Sequence, residues 1–163
     1  MTTTLSPIIV QRLRMQGFTV DELCLADASL GLRVAPALCA VVAAIGTATA
    51  SPTILIALTG IALLGAMMPF HPFDLIYNYG IRFWLGKRRL PPNGVPRRLG
   101  CAIATVWLAA TALLFFTGQA QIGYVLGALF VAVAGLLTAT HICIPSLMYH
   151  FARQSLGSKS SPI

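Results

Sequence analysis

Residues 99–144 read LGCAIATVWLAATALLFFT-GQA-QIGYVLGALFVAVAGLLTATHICI, and this stretch decides the fold. It contains two apolar runs, 99–117 and 121–144, on either side of the uncharged turn 118–120. Neither run contains Asp, Glu, Lys or Arg. Each approaches or exceeds the ~20 residues that an α-helix needs to cross a ~30 Å hydrocarbon core. We therefore predict two transmembrane helices joined as a hairpin.

A second pair of apolar runs precedes this one. Residues 34–50 and 53–71 flank Ser51-Pro52, and they also lack Asp, Glu, Lys and Arg. Over the whole chain 57% of residues are hydrophobic and 9% are charged, whereas soluble domains carry about 25% charged residues. The runs lack the alternation of barrel strands, and helices satisfy their own backbone hydrogen bonds in a bilayer. The prediction is an all-α integral membrane protein with four transmembrane helices arranged as two hairpins.

Basic residues flank these runs on one side only. They occur in the link 82–98, in the N-terminal arm and in the tail, at Arg153 and Lys159. By the positive-inside rule, the link and both termini are cytoplasmic. The net charge of +7 then indicates membrane lipids rather than nucleic acid as the partner. The residues expected at the lipid headgroup level are Arg12, Arg14, Arg82, Trp84, Lys87, Arg88, Arg89, Arg97 and Arg98.

The sequence divides into three parts. Residues 1–32 are predicted to form a cytoplasmic amphipathic arm that lies along the membrane surface. Residues 33–153 form a single four-helix membrane domain, and residues 154–163 a flexible cytoplasmic tail.

Helix start and stop signals occur within the arm. Ser6-Pro7 is typical of a helix start and Gly17 of a helix end. Thr19 and Glu22 have the spacing of a capping box, which predicts a second helix that begins there.

Between the hairpins, residues 73–84 predict an interfacial amphipathic helix that ends at Gly86. Asp74, Asn78 and Arg82 are four residues apart and therefore share one helical face. Apolar and aromatic side chains occupy much of the rest, which suits a helix at the membrane surface.

The two halves of the membrane domain look like an internal repeat. A tyrosine follows a histidine by eight residues in each half, as His71 with Tyr79 and as His141 with Tyr149. Both halves begin and end on the cytoplasmic side. The repeats would therefore be parallel, related by an axis along the membrane normal.

His71 and His141 are the sharpest candidates for a binding site, because ionisable groups at membrane depth are functional candidates by default. Two facing histidines could ligate a haem or another tetrapyrrole, or contribute to a metal site. A quinone could bind near His71 at the edge of the bilayer, beside Tyr77, Tyr79 and Trp84. Tyr79 and Tyr149 are further candidates for contact with a cofactor. The alternative is that both histidines are hydrogen-bonded helix-end residues that bind no ligand.

The four cysteines, Cys24, Cys39, Cys101 and Cys143, lie outside the outward-facing turns, where an oxidising compartment would form a disulfide. The expectation is four separate reduced thiols. A competing hypothesis makes Cys143 a reactive thiol, because a neighbouring imidazolium from His141 would lower its pKa.

The segments HPFDLIY (71–77), LPP (90–92) and PRRL (96–99), together with Arg82, resemble an uncharacterised bacterial family of four-helix membrane domains of unknown function, broadly similar in style to DoxX-like proteins. The resemblance covers about residues 20–152. It implies a location in the bacterial cytoplasmic membrane and carries no established activity.

Many members of that family end their fourth helix in the motif Gly-x-Cys-x-Gly-Cys-x-x-Tyr. Cys143 and Tyr149 match the motif, whereas Ser146 stands at the second cysteine position. A two-thiol redox cycle therefore cannot run on this segment alone, since it needs two sulfurs within bonding reach.

No complete catalytic motif occurs in the sequence. The leading expectation is a small non-catalytic accessory or scaffold subunit that packs against a larger inner-membrane complex of energy conversion. The first alternative is a membrane redox protein that binds a haem, tetrapyrrole or quinone near His71 and His141. The second is a thiol redox protein that uses Cys143.

Overall fold

The computed structural model describes residues 6–157, and every regular element in that range is helical. Residues 1–5 of the predicted arm and 158–163 of the predicted tail, with Lys159, lie outside the described residues. The helices are α1 (Pro7–Met15), α2 (Glu22–Ala28), α3 (Val34–Ala48), α4 (Pro52–Met67), α5 (Pro72–Ile76), α6 (Arg82–Leu85), α7 (Val95–Phe116), α8 (Ala120–Thr140) and α9 (Ile144–Gly157), with a 3₁₀ turn at Gly31–Arg33 and a π-helical turn at Tyr77–Ile81.

Among the described residues, three helical segments are long and apolar enough to cross a membrane: Gly31–Ala48, Val95–Phe116 and Ala120–Thr140. A fourth candidate exists if Pro52–Met67 is joined with Pro72–Leu85, from which it is bent by 83°. The prediction of an all-helical membrane protein is confirmed, with three or four candidate spans.

Two of the predicted spans end earlier than expected. Helix α4 stops at Met67, before His71, because Met68 precedes a proline and adopts an extended conformation with ψ 155°. Helix α8 stops at Thr140, before residue 144, because His141 is left-handed with φ 57°. Both histidines therefore lie outside the helices that they were expected to end.

The four long helices pack as a bundle around a core of small and apolar side chains. Helix α4 packs most extensively on α7, and α3 on α8, in addition to the contacts within each sequential pair. Gly127 of α8 lies directly against Thr47 of α3, where no larger side chain fits. Small residues let helix backbones approach closely in this way. The buried core residues are Ala43, Leu55, Leu58, Ala62, Leu108, Ala112, Phe130 and Ala134.

The arm packs against one end of the bundle, and its position along the membrane surface stays a prediction. Arg12 Nη1 donates a hydrogen bond of 2.7 Å to the carbonyl of Thr140, and Gln16 Nε2 donates one of 2.8 Å to the carbonyl of His141. These donors satisfy carbonyls at the end of α8 that have no partner within the helix. The buried residues that join the arm to the rest of the chain are Val10, Leu13, Phe18, Leu25, Ala28, Leu32, Tyr77 and Leu90.

The first helix of the arm begins as predicted, with Ser6 before Pro7, and it ends before Gly17, whose φ is 91°. The predicted capping box at Thr19 is wrong, because α2 starts at Glu22 with Asp21 as its N-cap. At the other end of the chain, residues 154–157 belong to helix α9.

The predicted helical segment 73–84 is helical and ends at Gly86, as expected, but its polar side chains Asp74 and Asn78 point inward. Asp74 and Asn78 are 2% and 1% exposed, whereas Trp84 is 94% exposed. Asn78 Oδ1 accepts a hydrogen bond of 2.9 Å from the backbone N–H of Leu90. These polar side chains therefore bind neighbouring segments of the chain.

We predict that Gly127→Ala destabilises the bundle by about 1–3 kcal/mol, because the new methyl group overpacks the contact with Thr47. The control is Gly135→Ala on the same helix, where a Cβ meets nothing within 4 Å. Thermal unfolding in detergent measures both variants. Equal melting temperatures for the two would contradict the packing described here.

Candidate functional site

A buried carboxylate organises the end of the bundle that the arm covers. Asp74 Oδ2 accepts two hydrogen bonds of 3.1 Å, one from the backbone N–H of His71 and one from Asn93 Nδ2. The other oxygen, Oδ1, lies 3.9 Å from Arg97 Nη2. Because an isolated buried charge is costly, this set of partners explains how a carboxylate that is 2% exposed is retained.

The local sequence brings these groups together. Pro72 occupies the first position of α5, where a missing N–H costs nothing. The ring nitrogen His71 Nδ1 accepts a hydrogen bond of 3.2 Å from the backbone N–H of Phe73 and so caps the helix start. Asn93 donates its backbone N–H to the carbonyl of Pro69 over 2.6 Å, which ties the link to the end of α4.

The hydrogen bond to Nδ1 fixes the direction of the His71 side chain. Since Nδ1 accepts, the ring proton is on Nε2, which lies 3.9 Å from Cys39 Sγ. Gly65 provides the space for the ring, because a Cβ at that position would overlap it. His71 is therefore a buried N–H donor that faces the interior of the bundle.

The His71 ring borders a cavity of about 380 Å³ between α3, α4, α7, α8 and α9. This volume lies within the range of about 300–1,000 Å³ that is typical of small-molecule sites. Most of its wall is apolar, and Trp107 and Phe130 form an edge-to-face pair there with centroids 6.0 Å apart. The polar or sulfur-bearing side chains on the wall are Cys39, His71, Arg97, Cys101, Trp107, Cys143 and Met148.

Arg97, one of the residues expected at the lipid headgroup level, is buried within the protein. It is 8% exposed, and its Nη2 donates a hydrogen bond of 3.2 Å to the carbonyl of Leu32. Its guanidinium also lies over the ring of Phe18, 5.4 Å from the centroid. The charge of Asp74 and this carbonyl compensate for the loss of water, so Arg97 adds N–H donors to the cavity wall.

His141 lies in a different place and does not face His71. Its Nε2 accepts a hydrogen bond of 2.8 Å from Arg33 Nε. It lines a second cavity of about 240 Å³ between α1 and α9, which does not include His71. The structure therefore does not bring the two histidines together around a single cavity.

The two tyrosines that the histidine spacing pointed to line neither cavity. Tyr79 is 69% exposed, and Tyr149 is partly buried. His71 precedes a helix whereas His141 ends one, so the internal repeat stays a prediction.

Two of the cations that we expected to contact headgroups cap helices, and their contact with headgroups stays a prediction. Arg98 donates from Nε to the carbonyl of Ala66 over 2.9 Å and from Nη2 to the carbonyl of Met67 over 2.7 Å. Like Arg12 at the end of α8, it satisfies carbonyls at a helix C-terminus, where a positive charge is favourable.

The other cations of the arm and link lie nearer the surface. Lys87 Nζ lies 2.8 Å from Asp27 Oδ1, and this hydrogen bond lowers the pKa of Asp27 and raises the pKa of Lys87. Arg14 pairs with Glu22 over 3.4 Å. Arg82 and Arg89 lie over the aromatic rings of Phe83 and Phe70, at 4.4 and 5.3 Å from the centroids.

The convergence of Cys39, Cys101 and Cys143 on one cavity is a feature that the sequence analysis missed. Cys39 is the sixth residue of α3 and Cys101 the seventh residue of α7. Both helices start at the same end of the bundle. The positions of the two cysteines in the sequence therefore already indicated that they lie at a similar depth. Among the described residues, no group of three or more His, Cys, Asp or Glu side chains is arranged to hold a metal ion.

A family model described as "Domain of unknown function (DUF4395)" matches residues 29–154. The chain belongs to this family. The predicted uncharacterised family is thereby confirmed, while the likeness to DoxX-like proteins stays a prediction. The DUF4395 match includes the Asp74 cluster and the wall of the larger cavity, but not α1. No curated protein and no solved structure matches the chain.

We predict that Asp74→Asn destabilises this DUF4395 protein by about 3–5 kcal/mol, because it leaves the buried Arg97 without a counter-charge. The same substitution at Asp27, whose ion pair with Lys87 is exposed to solvent, is expected to have a much smaller effect. Unfolding followed by circular dichroism in detergent compares them. A similar loss for both variants would show that Asp74 does not organise this end of the bundle.

Proposed function

We propose that the protein is a membrane redox protein that binds a lipid-soluble quinone in the larger cavity, with a ring carbonyl facing His71 and Arg97. Of the functions that the sequence left open, this geometry favours quinone binding near His71. The main support for the proposal is the lining of the larger cavity. Most of its wall is apolar, and one end has N–H donors.

His71 provides the most specific donor. Its Nε2–H has a sulfur at 3.9 Å as its neighbour, and sulfur is a weak acceptor. A buried N–H that is left without a good acceptor costs about 1–3 kcal/mol. A ligand with a carbonyl oxygen at this point would recover that energy, and the apolar wall would hold its ring and tail.

The charge balance favours a neutral head over a carboxylate. The positive charge of Arg97 is offset by Asp74, 3.9 Å away. His71 is neutral in the arrangement described, since Nδ1 accepts a hydrogen bond. A fatty acid would therefore bring an unpaired negative charge into a buried site, whereas a quinone carbonyl needs only the N–H donors.

The same hydrogen bonds disfavour axial ligation of a tetrapyrrole. A metal needs a nitrogen lone pair, and the Nδ1 lone pair of His71 already accepts from Phe73. At His141 the Nε2 lone pair accepts from Arg33. The role of accessory subunit in an energy-conversion complex stays a prediction.

We predict that a short-chain ubiquinone quenches the fluorescence of Trp107, which lines the cavity, in a saturable manner. The chain has two tryptophans, so Trp84→Phe leaves Trp107 as the sole reporter. Adding His71→Ala is expected to weaken binding about tenfold, the equivalent of one hydrogen bond. His150→Ala is the matched control, because His150 contacts the carbonyl of Met15, away from the cavity.

The reverse variant, Trp107→Phe, leaves Trp84, which is 94% exposed, and should show only non-saturable quenching by ubiquinone in the detergent. Equal quenching of both tryptophans, insensitive to His71→Ala, would overturn the proposal. Competition by stearate at the same concentration as the quinone would indicate a carboxylate ligand instead.

We further propose that the bent pair of helices provides a fourth span, and that both termini face the cytoplasm of a bacterium. The arm, the link and α9 support this arrangement because they pack at one end of the bundle. Gly17 in the arm approaches Gly94 in the link so closely that a side chain on Gly94 would meet the backbone of Gly17 at 2.6 Å. The basic residues of arm and link therefore belong to one side of the membrane.

A cysteine introduced at Gln119 is predicted to react with a membrane-impermeant maleimide added outside intact cells. A cysteine introduced at Lys87 in the link should react only after the cells are opened, since the basic side faces inward. Labelling of position 87 in intact cells would show that the link faces outward and would contradict the proposed topology.

A further inference from the structure

We propose that Cys101 and Cys143 form a redox-active dithiol that the cavity-bound quinone oxidises to a disulfide. This inference rests on the proposed function, because it names the quinone as the oxidant. Cys101 lies in α7, and Cys143 directly precedes α9. The two thiols are far apart in the sequence, which therefore gives no sign that they form a pair.

The contact between α7 and α9 brings these two residues to the same part of the wall. A Cβ built on Gly100 would lie 3.6 Å from Cys143 Sγ. The sulfur of Cys143 therefore packs on the turn of α7 that carries Cys101, and glycine at position 100 leaves room for it. Both cysteines line the larger cavity.

Cys39 is not a member of this pair. Its Sγ faces His71 Nε2 at 3.9 Å, at the donor end of the cavity where the quinone carbonyl is placed. Cys24 lies in α2 of the arm and lines neither cavity. Cys24 therefore serves as the control for the pair.

Cys143 also borders the second cavity, so a reductant can reach it from the side of the arm. Ile142 and Cys143 are the residues common to both walls. Ser146 lines the second cavity, is 1% exposed, and its hydroxyl has no hydrogen-bond partner among the described residues. That hydroxyl, three residues after Cys143, is available to donate to a sulfur atom of an incoming thiol.

The proposed step balances in atoms and electrons. The S–H bonds of Cys101 and Cys143 break, one S–S bond forms, and two electrons and two protons pass to the quinone, which becomes a quinol. Two molecules of a low-molecular-weight thiol then reduce the disulfide by exchange. Their own disulfide is the product, so the net reaction is the oxidation of a small thiol by a quinone.

The test mixes the reduced full-length protein with a short-chain ubiquinone under anaerobic conditions and counts free thiols by maleimide labelling and intact mass. We expect the number of labels to fall from four to two, with the loss of two hydrogen atoms from the unlabelled protein. Peptide mapping should show a bond between Cys101 and Cys143. Cys101→Ser and Cys143→Ser should each abolish the change, whereas Cys24→Ser should preserve it.

The result separates this inference from the function on which it rests. If ubiquinone quenches Trp107 in a saturable manner but every thiol remains free, the dithiol is overturned and quinone binding stands. A disulfide that includes Cys39 would also overturn it. If Trp107 shows no saturable quenching, the proposed function fails first. A Cys24→Ser protein that keeps both quenching and disulfide formation supports both.

Discussion

The rest of the structure depends on the burial of one carboxylate, that of Asp74, at the end of an apolar bundle. Its two oxygens face the backbone of His71, the amide of Asn93 and the guanidinium of Arg97. A buried charge is stable only when such partners are held in place. The cost of burial therefore fixes three segments of the chain, the end of α4, the link and the start of α7, relative to one another. The orientation of His71 toward the cavity is a consequence of this arrangement.

The basic residues that indicate topology also complete the helices. Arg12 and Arg98 donate to the last carbonyls of α8 and α4. Such carbonyls have no partner within their own helix, and at the border of a membrane water satisfies them incompletely. In the proposed topology, a positive side chain at this end of the bundle serves both the orientation in the membrane and the helix dipole. Headgroup contact alone would not require these residues to be placed so specifically.

The sequence predicted the apolar helices well, because their length and lack of charge leave few alternatives in a membrane. It predicted the ends less well. The stop at Met67 could have been read from the following proline, whereas the left-handed conformation of His141 could not, since nothing in its neighbours demands it. The inward polar face around Asp74 and Asn78 was missed because periodicity shows that residues share a face but not which way the face points. The docking of the arm and the convergence of three cysteines depend on contacts between residues far apart in the chain.

The central claim is that the Asp74 cluster holds His71 as a neutral donor directed into the cavity. Nitrogen-15 NMR of histidine-labelled protein tests it most directly, with His71→Gln to assign the signals among the three histidines. We expect a proton on Nε2, an accepting Nδ1, and a shift of the Nε2 signal when a short-chain ubiquinone is added. We also expect this shift to disappear in Asp74→Asn. A proton on Nδ1 of His71, or a spectrum that ubiquinone leaves unchanged, would show that His71 is not a donor directed into the cavity.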